Sequence, residues 1–171
     1  METWDAITSR RNVREFADRP IGGEDLDRVL EAGRRAPSSR NWQPWDFIVV
    51  TDRAQLVELA QVWRGGGHIA QSAATVVVVL PELEDRGQRE RAAFDTGQAG
   101  VQMMIAAADL GIGSGHSAVG DQDRAREILG FPGDRHAYIM IDFGYPAERP
   151  LRPIRRPDRR PFEQVVHRGR W

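Results

Sequence analysis

Ser9-Arg10-Arg11-Asn12-Val13-Arg14 sets three guanidinium groups and two small polar side chains within six residues. A guanidinium is a planar fork that meets phosphate oxygens with charge-assisted, often paired hydrogen bonds. A phosphate with an adjoining polyol is the ligand this loop could hold, although a solvated turn has the same composition. A second loop, Ala36-Pro37-Ser38-Ser39-Arg40-Asn41-Trp42-Gln43-Pro44-Trp45, suits a different ligand. Its two prolines restrict the backbone, its serines let a flat molecule approach the main chain, and it runs into an apolar segment. Rigid binding loops are found in such settings, as are merely structural ones.

Other patterns fall short of a site. Gly111-Ile112-Gly113-Ser114-Gly115 lacks the third glycine of the dinucleotide fingerprint at the required spacing, and it follows a helix where a strand is needed. Gly115-His116-Ser117-Ala118-Val119 has valine where a nucleophile elbow needs glycine, and nothing in the sequence pairs His136 or His167 with Ser117. The four histidines, His68, His116, His136 and His167, do not have metal-ligand spacing, so no metal is expected. There is no cysteine, which removes thiol chemistry, and all 24 basic residues are arginine, which removes Schiff-base and P-loop lysines. Coding bias accounts for an arginine-only inventory without any function; phosphate clamping is the reading with chemistry in it.

These loops need a scaffold, and 171 residues with 40% hydrophobic and 29% charged side chains suffice for one compact domain. A net charge of -1 argues against a nucleic-acid-coating protein. The N-terminus has no basic-then-apolar signal, and the longest apolar run, Ala73 to Pro81, falls far short of the ~20 residues a membrane helix needs. A cytoplasmic protein bound to neither nucleic acid nor membrane is expected.

Apolar periodicity predicts helices over Glu2–Arg10, Glu24–Ala36, Asp52–Val62 and Arg89–Leu110, the first burying Trp4, Ala6 and Ile7. The last of these is nearly charge-free from Ala99 onward and is predicted to be the central buried helix. Short runs rich in branched residues predict strands over Trp45–Val50, Thr75–Leu80 and Ala137–Phe143, with Gly111, Gly130 and Gly144 closing elements. The class is α/β or α+β. From Pro146 onward, five of the chain's 10 prolines alternate with arginines, so this stretch runs extended, either as a frayed basic tail or as an arm that wraps the domain or a partner.

The two loops in this order, the long helix with Asp95-Thr96-Gly97, the Leu110–Ser114 turn, Gly144-Tyr145-Pro146 and the closing Arg159-Arg160-Pro161-Phe162-Glu163-Gln164-Val165-Val166-His167 together resemble the FMN-dependent nitroreductase family. The similarity runs from about Ala6 to Trp171. It implies an α+β fold, a three-layer α/β/α sandwich around a mixed, mainly antiparallel sheet, in an intertwined homodimer. Residues 1–145 would form one FMN-binding domain and residues 146–171 an arm on the partner subunit. Gly97, Gly100, Ala106 and Ala107 of the long helix would pack the dimer core.

By the same resemblance, Arg10, Arg11, Asn12 and Arg14 hold the FMN phosphate and ribityl chain, with Arg159 completing the clamp. Pro37, Ser38, Ser39 and Asn41 of the other copy line the isoalloxazine edge, and the main chain at Ala118 and Val119 faces N5 and O4. The implied reaction is ping-pong hydride transfer from NADH or NADPH, through the flavin, to a nitroaromatic, quinone or similar acceptor. The flavin carries the chemistry, so no catalytic side chain is assigned. Arg40 and Trp42 are expected in the substrate pocket, favouring an anionic or aromatic substrate. The chain departs from the family pattern at Gly66, where an asparagine is usual nearby, at His116, in place of an aromatic-containing turn, and at Val119, where glycine is common. An oxidase or dehydrogenase of a metabolite on the same scaffold, and a flavin-binding protein without turnover, are the competing functions.

Overall fold

A computed structural model describes residues 1–171. The elements in order are α1 (Thr3–Ser9), α2 (Gly23–Arg34), β1 (Asp46–Val50), α3 (Arg53–Leu59), β2 (Ala74–Pro81), α4 (Arg86–Asp109), β3 (Gly113–Ala118), α5 (Gln122–Leu129) and β4 (Arg135–Gly144). Three of the helices start on an aspartate that accepts a main-chain N–H, Asp52 from Gln55, Asp85 from Gln88 and Asp121 from Arg124. Gly111 (φ 74°) and Gly130 (φ 71°) follow α4 and α5 in the left-handed region, where a Cβ is costly.

The sheet has the order β1-β2-β4-β3, and every neighbouring pair is antiparallel. Within one chain it is therefore antiparallel throughout rather than mixed; the parallel pairing is an isolated bridge between Asn12 and Ser114. The strands are central because β2 is apolar on both faces. Val76, Val78 and Leu80 join Val29 of α2 and Ala99, Met103 and Ala107 of α4 on one side. Val77 and Val79 join Leu56 and Leu59 of α3 and Ala125 of α5 on the other. The result is the α/β/α sandwich of an α+β protein.

The predicted helices and strands are all present, but β3 and α5 were not predicted from the sequence. β3 reads Gly-Ser-Gly-His-Ser-Ala, with no branched residue, and looks like a turn; α5 is short and mostly polar. Burial differs too. Trp4 is 72% exposed and Ile7 43%, because α1 lies against α4 through Ala6 and Ser9 and turns those larger groups outward. The expected dimer-core set on α4 divides. Ala107 belongs to the core of its own chain and a Cβ on Gly100 would lie 3.2 Å from Ile141 Cδ1, whereas Gly97 is open, on the side that exposes Phe94 and Val101.

After β4 the chain returns across its own N-terminal segment. Ala17 N donates to Tyr145 O, Ala147 N to Glu15 O and Ile154 N to Thr8 O, and Leu151 buries against Val13, Phe16 and Ala108. Beyond Ile154 the arm is exposed, with Phe162 at 61% and Trp171 at 97%.

Candidate functional site

The arginine-rich loop is held against the sheet rather than free in solvent. Asn12 bridges Ser114 of β3, and Val13 N donates to Ser114 O at 2.9 Å. Space there explains the composition of β3. A Cβ on Gly113 would stand 2.6 Å from Val13 Cγ2, and one on Gly115 would stand 2.8 Å from Val13 O.

Arg10 ends α1, half buried. Its Nη2 donates to Asn12 Oδ1 at 3.0 Å and lies 2.9 Å from Met104 Sδ, while its Nε is buried with no hydrogen-bond partner. Burial, followed by the charge of Arg159, lowers the affinity of Arg10 for its proton. A buried guanidinium donor thus stands unpaired, an arrangement that an anion there would relieve. Arg11 is used differently: it donates to Arg149 O at 3.0 Å and ties down the root of the arm. Its pKa is lowered by burial and then by Arg149, with Glu148 opposing. Arg14 is exposed and shares a small cleft with Arg11, Glu15 and Glu148.

The second loop is strained. Arg40 (φ 54°), Asn41 (φ 58°) and Gln43 (φ 52°) occupy the left-handed region, and such backbone persists only where its surroundings hold it. The holding residue is Asp95 of α4, which the sequence reading did not assign a role. It is 1% exposed and accepts from Ser39 N at 2.9 Å and Ser39 Oγ at 3.3 Å. Ser38 Oγ accepts from Gln43 N at 2.9 Å and closes the turn. Pro37, Arg40, Asn41 and Trp42 are exposed, Ser38 and Ser39 half buried. Ser39, Arg40 and Trp42 line a cleft with Gln88 and Arg91 of α4, whereas Arg11 and Arg14 line another.

β3 is an edge strand, so main-chain groups on its outer side beyond the Asn12 bridge lack a strand partner. Ala118, exposed, and Val119, half buried, follow there.

Behind β3 lies a polar cluster that the sequence concealed. The histidine that reaches Ser117 is His68, not His136 or His167; Ser117 Oγ and His68 Nε2 are 3.3 Å apart, and the same nitrogen stands 3.3 Å from Asp142 Oδ1. The Asp142 contact lacks a hydrogen bond's alignment, and both carboxylate oxygens are buried without a partner. Ser, His and Asp thus meet, but a hydrolytic relay needs the base to use one ring nitrogen toward serine and the other toward the acid. Ser117 also lies in a regular strand instead of a sharp turn. The arrangement does not make a hydrolase.

The three-layer sandwich around this antiparallel sheet, with an arginine-rich loop at the sheet edge and a strained loop on the long helix, places the chain in one class of α+β proteins. The model of the nitroreductase family matches residues 7–76 and 61–145, and the chain belongs to that family. A relative from Archaeoglobus fulgidus, whose name pairs NADH dehydrogenase with NAD(P)H nitroreductase, is 31% identical over 96% of each chain. The Bacillus subtilis FMN reductase [NAD(P)H] is 26% identical over 89% of this chain and 69% of its own. The structure of an FMN-dependent nitroreductase from Clostridium difficile superposes with a TM-score of 0.83, at 25% identity, over 97% of this chain and 98% of its own.

Proposed function

We propose that the chain is an FMN-dependent NAD(P)H oxidoreductase that works as a homodimer and reduces a nitroaromatic, quinone or similar small acceptor. The carrying observation is the buried Nε of Arg10, which has no hydrogen-bond partner in a loop that also bears Arg11, Asn12 and Arg14. A phosphate dianion fits that arrangement, and a polyol attached to it would run along Asn12 and Ser114. The names of the relatives support FMN as the molecule that bears both.

When bound, FMN would supply two-electron hydride-carrier chemistry between NAD(P)H and the acceptor. The protein's part is binding, orientation and polarity. Arg10 and Arg159 neutralise the phosphate, and Arg11 holds the arm that brings Arg159 into place. Asn12 and Arg14 face the ribityl side. The outer main chain at Ala118 and Val119 offers N–H groups where charge builds on the ring. Pro37, Ser38, Ser39 and Asn41 come from the second copy, which accounts for the two loops lining separate clefts of one chain. Donor and acceptor use the open face in turn, a ping-pong sequence.

The test is the visible spectrum of the freshly purified protein, with the chromophore released by heat and identified by mass, followed by anaerobic addition of NADH and NADPH. FMN at about one per chain, bleached by a nicotinamide and restored by a nitroaromatic or quinone, is the expected result. Colourless protein that takes up no added FMN overturns the reading. Bound FMN that no nicotinamide reduces leaves only flavin binding.

A further inference from the structure

The cleft between the strained loop and the start of α4 encloses about 370 Å³ and is lined by Ser39, Arg40, Trp42, Gln88 and Arg91. Its two cations are free. Neighbouring arginines of α4 are engaged, Arg86 by Glu90 at 2.7 Å and Arg89 by the carbonyls of Leu83 and Glu84 at 2.8 and 2.6 Å. Arg40 and Arg91 have neither an ion-pair partner nor a side-chain hydrogen bond. The loop does not depend on them for its shape, since Asp95 and Ser38 hold it through Ser39 and Gln43. Trp42, 39% exposed, adds a flat apolar surface, and Gln88 adds an amide.

We infer that this cleft recognises an anionic group carried on a flat ring, with Arg40 and Arg91 on the anion and Trp42 against the ring. Two unpaired guanidinium groups on one cleft select for charge, because an anion satisfies forks that an uncharged analogue leaves in water. Two molecules carry that chemistry: the 2′-phosphorylated adenosine end of NADPH, and an aromatic acceptor bearing a carboxylate. The inference rests on the proposed oxidoreductase reading, in which Ser39 borders both the cleft and the flavin edge. It adds to that reading a determinant, Arg91, and a preference for charge.

The experiment is calorimetric titration of the purified protein with two matched pairs, adenosine 2′-monophosphate against adenosine and 4-nitrobenzoate against 4-nitrobenzyl alcohol. It is repeated on Arg91→Ala and Arg40→Ala, with KM ratios for NADPH over NADH and for the two nitro compounds measured in parallel. Arg91 is exposed and unpaired, so its truncation leaves the core intact. The expected result is a preference of about tenfold or more for the anionic member of one pair, lost in either variant, as removal of a charge-assisted hydrogen bond predicts. A preference in the adenosine pair assigns the cleft to the donor phosphate, and one in the nitro pair assigns it to the acceptor. No preference in either pair, or one that both variants retain, overturns the inference. Failure of the oxidoreductase reading looks different: no FMN is retained and no nicotinamide is consumed, while the titrations still report on the cleft.

Discussion

Arg10 is placed by the end of a short helix, polarised by burial and by Arg159, and left with one donor unpaired. Removing a charge-assisted hydrogen bond costs about 1.5–3 kcal/mol, so Arg10→Ala should weaken FMN binding by about 10- to 100-fold. Quenching of FMN fluorescence during titration of the apoprotein measures this. Arg10→Lys should recover only part of the loss, because an ammonium keeps the charge and lacks the fork. Asp95 tests a different idea. Its truncation to alanine leaves Ser39 N–H without its acceptor, and stability measured by urea unfolding should fall by about 1–3 kcal/mol. The strained loop should also become susceptible to proteolysis near Arg40. Arg10 stands out in the sequence because its arginine-rich loop is contiguous; Asp95 does not, because its partner lies 56 positions away.

At the scale of elements, β3 is the instructive failure. Small residues weaken a strand's propensity, yet here they are required, since the segment around Val13 packs on Gly113 and Gly115. Gly115→Ala would set a Cβ 2.8 Å from Val13 O and 2.7 Å from Asp142 Oδ2. The cost expected from such overpacking is about 1–3 kcal/mol. Because Val13 follows Asn12, FMN affinity should fall with stability, which thermal unfolding with and without added FMN resolves. The long apolar strand β2 and helix α4 were readable for the opposite reason. Their runs are long, and both faces of β2 are buried, so no competing local pattern obscures them.

At the scale of the molecule, large apolar groups stay exposed on three elements. Phe94 is 69% exposed and Val101 43% on α4, Trp4 72% and Ile7 43% on α1, and Phe162 61% on the arm. Apolar groups in that number on three elements fit an association surface better than a free one. Light scattering should therefore give twice the 19.3 kDa chain mass. Phe94→Glu would bury a charge at that surface, so the mass should shift toward one chain and, with the ring-edge loop proposed to come from the second copy, FMN should be lost with it. An unchanged mass would remove α4 from the interface.

The sequence by itself determined the order of the main elements, the positions of the two polar loops, the extended arm and the family resemblance. Each of these rests on local composition, on a short-range period or on motifs in linear order. Tertiary structure alone decided that Gly113–Ala118 is an edge strand, that Asp95 holds Ser39, that His68, Ser117 and Asp142 meet without forming a relay, and that Arg91 joins Arg40 and Trp42 in one cleft. These are contacts between residues far apart in the chain. They depend on how the sheet and α4 pack, and no local propensity encodes them.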